Sequence, residues 1–262
     1  VILLYICKLE RYLYFTHVNF NCKVAPMPLS VLGPHLVIGA IVLCLFWGTM
    51  AVVKGSAVHK RLGRLYLLSL APVLISVVPI SLYLAQRTDP AHLFTLAYLA
   101  LVVATAAWTA WRAIRDRNAP QAFRGWTFRL LACAMFASGA VLLVLGAILQ
   151  RPLTIGFSAI GLVYGGAMLL ELEHPPQPLW WKAWHINGIS LLFVATHASF
   201  VGIVARTLWP SLAGEAMHTL TQLGVLTLGL ALRIWLGRRY LSARSRQTPA
   251  QSFPPSAAVE AG

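Results

Sequence analysis

An all-α, polytopic bundle of seven membrane-spanning helices is the fold class this chain predicts, and three observations lead to it. First, 58% of the 262 residues are hydrophobic and only 11% are charged, with a mean hydropathy of +0.72. A soluble domain carries about 25% charged residues. Second, the apolar residues come in runs of about 20, the length a helix needs to cross a hydrocarbon core about 30 Å thick. Third, 21 Lys+Arg against 7 Asp+Glu give a formal charge of +14, and the basic residues fall between the apolar runs in alternating phase. That placement points to lipid phosphate and away from nucleic acid as the partner.

The predicted spans are Pro34 to Val53, Leu65 to Ala85, Ala91 to Trp111, Phe128 to Leu149, Leu153 to Leu170, Trp184 to Ala205 and Leu212 to Leu236. All are expected to be helices, because lipid offers backbone amides no partner and each span must satisfy its own. Lys54, Lys60, Arg61 and Arg64 follow span 1, Arg112 to Arg129 follow span 3, Lys182 precedes span 6, and Arg233 to Arg246 close the chain. One side thus collects fifteen basic residues, against three (Arg87, Arg151, Arg206) on the other. The positive-inside rule then puts the C-terminus in the cytoplasm and the start of span 1 outside, in a bacterial cytoplasmic membrane.

Three stretches need separate readings. Residues 1–26 are apolar but broken by Lys8, Glu10 and Arg11. They read as an interfacial segment or as an extension upstream of a start at Met27, the second preferred because it removes three basic residues from the outer side. Residues 27–241 hold the seven spans, and 242–262, polar and proline-bearing, read as a disordered cytoplasmic tail. Gly161 and Gly165 in span 5 form a small-x-x-x-small step, expected at an interior contact or a homodimer interface. Pro72 and Pro79 should bend span 2, and seven tryptophans near span ends read as an interfacial belt.

Ionisable groups inside a membrane are costly, so each is a functional candidate. Glu215, His218 and Gln222 are spaced by three and four and share one face of span 7. With His35 in span 1 and His197 in span 6 they form a candidate set in the outer half: His35, His197 and His218 as ligands, Glu215 as a fourth. Nitrogen and oxygen donors of this kind suit a transition metal, and two of the imidazoles could hold the iron of haem b. A proton path uses the same residue types, and each histidine could instead simply bond a backbone carbonyl. His59, His174 and His185 make a second set on the cytoplasmic side, with Arg64 as a further candidate beside His59. The motifs of metalloprotease, serine hydrolase, phosphate-loop and dinucleotide-binding chemistry do not occur.

His59-Lys60-Arg61-Leu62-Gly63-Arg64-Leu65-Tyr66 resembles the motif between the first two spans of a bacterial multi-pass family catalogued as domain of unknown function number 2306. In that family a later motif carries a histidine where this chain reads Phe123-Arg124-Gly125-Trp126-Thr127-Phe128-Arg129, which keeps the Arg, Trp and Arg. Trp184-His185-Ile186, with Ala198-Ser199-Phe200, is similar to a further stretch. The resemblance implies a multi-pass membrane protein and brings no established activity. The expected function is a small redox or metal/haem-binding membrane protein; a proton-coupled transporter and a membrane scaffold are the alternatives.

Overall fold

The computed structural model describes residues 27–209, 211 and 214–241; the expectations for 1–26 and 242–262 lie outside the described residues. The helices are α1 (Leu29–Ala51), α2 (Ala57–Ala85), α3 (Pro90–Arg115), α4 (Pro120–Phe123), α5 (Trp126–Ile148), α6 (Pro152–Ile160), α7 (Gly166–Glu173), α8 (Trp180–Leu208) and α9 (Glu215–Tyr240), with one π-helical segment, Gly161–Gly165, joining α6 to α7. Seven helices are long and apolar enough to cross a membrane, α6 through α7 counting as one, and no strand occurs among the described residues. The protein is an all-helical, multi-pass membrane protein.

Local chemistry sets the boundaries. Asp89 caps α3 by accepting from the His92 backbone N–H at 3.0 Å, with Pro90 in the first turn, where its missing N–H costs nothing. The α2 helix starts earlier than its apolar run, because Ser56 caps it by accepting from the His59 N–H at 3.1 Å. The His59 to Tyr66 motif is therefore the first turns of a helix. Tyr66, at the motif's end and next to the predicted start of span 2 at the interface, is instead buried against Phe46, about three turns in. At Gly63 an added methyl would meet only the Thr49 methyl at 3.9 Å, so close approach does not require that glycine.

At the centre stands α8, half of whose span is buried. It packs on α3, α9 and α1; α2 lies against α1 and α3, and α5 binds α3 to the fifth span. The α8–α3 approach needs Gly188, where a Cβ would come within 2.6 Å of the Ala106 carbonyl oxygen. In the fifth span a Cβ on Gly161 would lie 2.6 Å from the Met135 carbonyl oxygen. The small-residue step is thus used within the chain, against α5.

One end of the bundle, the basic end, carries the α1–α2 loop, the C-termini of α3 and α9 and the N-terminus of α8. Trp180 and Trp184 were expected in the belt, yet they are buried there with Phe123 and Phe128, and the partly buried Trp108 packs against them. Five rings packed at centroid distances of 4.8 to 6.2 Å close the inside of this end. Beside them Arg124 is buried too: it donates to the His174 carbonyl oxygen at 2.7 Å and pairs with Glu171, fastening α4 to α7.

Candidate functional site

The histidines of the expected outer set occupy different depths. On α1, His35 Nδ1 meets Ser76 Oγ at 2.8 Å. The Ser76 hydroxyl already donates to the Val73 carbonyl oxygen at 2.6 Å, so it accepts from the imidazole. His197, on α8, has its ring against Phe46 and Trp47, at centroid distances of 5.2 and 5.7 Å. Phe46 follows His35 by eleven residues on α1, about 16 Å along the axis. His35 and His197 therefore do not meet. His218 lies on α9 one turn beyond Gln222, and the Glu215 side chain lies outside the described residues. Among the described residues no three His, Cys, Asp or Glu stand close enough to hold a metal ion. The expected three-histidine ligand set does not fit a metal of three or four protein ligands.

What the fold does build is a polar seam between α8 and α9. Asn187, Ser190, Val194 and His197 follow at intervals of three, four and three, within an arc of about 80° on α8. Facing them on α9, His218, Gln222, Leu226, Gly229 and Arg233 share an arc of the same width. The stripe at Glu215, His218 and Gln222 in the sequence thus runs on to Arg233, one of the basic residues that mark the topology.

Contacts across the seam fix its register. Near the basic end Arg233 Nε donates to Asn187 Oδ1. Gly229 faces Val194 and Ser190, and Gln222 Nε2 donates to the Ala198 carbonyl oxygen at 3.0 Å. Between these contacts two buried polar atoms, Ser190 Oγ and His197 Nε2, find no hydrogen-bond partner among the described residues.

His197 is held with some care. Its Nδ1 lies 2.9 Å from the Phe193 carbonyl oxygen, which can only accept, so the proton sits on Nδ1 and Nε2 keeps a bare lone pair. The ring stacks on Phe193 at 4.1 Å, with Phe46 and Trp47 edge-on. Beside it Thr196 Oγ1 lies 3.1 Å from Nδ1, and the buried Tyr66 hydroxyl is near Thr196.

Arg233 has an unusual environment. It is half-buried, about 10 Å inside the end of α9 by residue count, and its bonded partner is a neutral amide. The arginine-paired carboxylates lie elsewhere: Asp89 with Arg151, Asp116 with Arg112, Glu171 with Arg124. Tyr164 bears on it electrostatically, and the Tyr164 hydroxyl lies 2.7 Å from Thr109 Oγ1 on α3.

The second expected set partly assembles at the basic end. His59 Nδ1 is 3.3 Å from the Thr49 carbonyl oxygen, and His185 Nδ1 is 2.9 Å from that of Ala110. These two rings, like His197, bond backbone carbonyls, and they are electrostatic neighbours. Arg64 is exposed on α2. Nearby, Lys54 Nζ donates to the Met50 and Thr49 carbonyl oxygens at 2.6 and 3.1 Å, closing the end of α1. Burial, and then the charge of Arg239, lowers its pKa below the usual lysine value. No family model, curated protein or solved structure matches this chain.

Proposed function

We propose that the chain is a proton-coupled carrier of a small anion, lying in a bacterial cytoplasmic membrane with the basic end in the cytoplasm, beside anionic head groups. The observation that carries this reading is the α8–α9 seam, in which Arg233, half-buried within a span, donates to a neutral amide and pairs with no carboxylate among the described residues. No described carboxylate balances that guanidinium, and a carboxylate or phosphate is the group its planar fork holds best. Two turns or more away along α8, His197 Nε2 is a buried base able to take up one proton. A singly charged anion at Arg233 with a proton at His197 crosses without net charge, and Ser190 lies between the two with no hydrogen-bond partner for its hydroxyl among the described residues.

The test is vesicles holding purified protein and a trapped pH dye, challenged at about pH 6 with a gradient of lactate or dihydrogen phosphate, each singly charged there. Acidification of the lumen with one of the anions, reduced at least about tenfold in Arg233→Gln and in His197→Ala, is the expected result, the loss of one charge-assisted contact being worth about 1.5–3 kcal/mol. Vesicles that stay at constant pH with both anions would overturn it. A second reading, haem or a transition metal held through His197, is supported by the fixed tautomer and the bare Nε2. Purified protein with a Soret band or stoichiometric metal, lost in His197→Ala, would favour this second reading over the carrier.

A further inference from the structure

Apart from the seam, the surface of the bundle carries a groove between α2 and α3 of about 370 Å³. Leu67 and Leu68 form one wall and Trp108 and Trp111 the other, with Arg112 and Arg115 at the basic end. Leu68 and Trp111 are exposed, so the groove opens to the surroundings of the span. The α2 face continues one and two turns toward the basic end through Arg64, Arg61 and Lys60, at spacings of three, four and seven from the leucines. Because α2 and α3 run antiparallel, those residues stand at the same end as Arg112 and Arg115.

The charge at this end is one-sided. Asp116 is the nearby carboxylate, only 11% exposed and held by Arg112, whose guanidinium also donates to the Ala122 carbonyl oxygen at 3.0 Å and lies over Trp108. Arg115 is 70% exposed and reaches Asp116 only at 3.9 Å. Lys60, Arg61 and Arg64 are exposed and make no ion pair with a described residue. An apolar slot whose two guanidinium groups share a single carboxylate, with Arg64 beside them lacking any described one, matches a molecule with a hydrocarbon chain and a phosphate head.

We propose that this groove is a binding site for one anionic phospholipid, with an acyl chain between Leu67, Leu68 and Trp111 and the phosphate against Arg64 and Arg115. Zwitterionic lipid fits the same slot, but its ammonium offsets the attraction. A free phosphate has the charge without the chain, and a second copy of this chain would bring like charge to the same place.

The experiment is native mass spectrometry of the full chain released from nanodiscs of equal phosphatidylglycerol and phosphatidylcholine with matched chains. Preferential retention of one phosphatidylglycerol is expected. In the Arg64→Gln/Arg115→Gln variant the preference falls by about 30-fold, the effect of two basic residues near a lipid surface. Thermal unfolding of the variant, unchanged because both side chains are exposed, separates lost binding from lost folding. Equal retention of both lipids, retention unaffected by the substitutions, displacement by glycerol phosphate alone, or a dimer in place of bound lipid would each overturn the proposal.

Discussion

Single side chains in this protein decide where backbone groups find partners. Tyr98 accepts at its hydroxyl from the Gly161 N–H at 2.7 Å and donates to the Phe157 carbonyl oxygen at 2.8 Å. It thereby satisfies two main-chain groups freed where α6 widens into the π-helical segment, and lipid could supply neither partner. Tyr98→Phe should cost about 1–3 kcal/mol, the penalty for a buried group left unpaired, read as a lower unfolding temperature in detergent. Asp89 works at the N-terminus of the same helix, α3. Its carboxylate accepts from Arg151 at 3.1 and 3.3 Å and caps the helix, and the Arg151 hydrogen bond first, then the His92 backbone bond, hold its pKa below the usual aspartate value. A depressed folded-state pKa stabilises fully above the unfolded value and ceases to do so as pH falls through the folded value. Asn can cap but cannot pair, so the stability gap between wild type and Asp89→Asn should be full at neutral pH and close below the ordinary carboxylate range. A gap constant with pH would show that the charge contributes nothing.

Among the elements, long uniform helices were legible and their exceptions were not. Each of the seven spans overlaps a predicted apolar run, because the demand that backbone groups be paired inside lipid leaves few other solutions. The start of α2 was missed by eight residues, since hydropathy marks where a helix enters lipid and the Ser56 cap marks where it begins. That shift carried Tyr66 from interface to core. The π-helical segment left no period in the sequence; its signals were the Gly161 backbone and a tyrosine on a different helix. Half of the seam was readable as the Glu215, His218 and Gln222 stripe. The facing half on α8 was not, because Asn187 and Ser190 are unremarkable until antiparallel pairing sets them opposite Arg233 and Gly229. Close approach at glycine predicts a contrast between two helices. Gly161→Ala places a methyl 2.6 Å from a carbonyl oxygen and should destabilise by about 1–3 kcal/mol. Gly39→Ala, on α1, meets nothing within 4 Å and should leave stability equal or slightly higher, as alanine favours the helix. Equal effects at the two sites would mean that α5 and the fifth span are not packed at van der Waals contact.

At the scale of the molecule, the central helix α8 divides two kinds of interface. Toward α3 it is packed at van der Waals contact, with Gly188 against Ala106 and Ala110. Toward α9 it is polar, with atoms left unpaired. A bundle selected for stability alone would fill the second interface as it fills the first, since replacing a buried polar pair by apolar groups of similar size is often neutral or stabilising. Substituting both residues at once therefore tests the seam. Arg233→Leu alone leaves Asn187 without its partner and should lower stability by about 1–3 kcal/mol. Asn187→Leu with Arg233→Leu removes both and should restore unfolding at or above the wild-type temperature, while anion-driven acidification in vesicles remains lost. A double variant that is both less stable than Arg233→Leu and fully active would show that the pair is a structural tie with no part in transport. Recovery of stability without recovery of flux would separate what the seam does from what holds the bundle together, which is the trade expected where activity depends on groups the fold does not need.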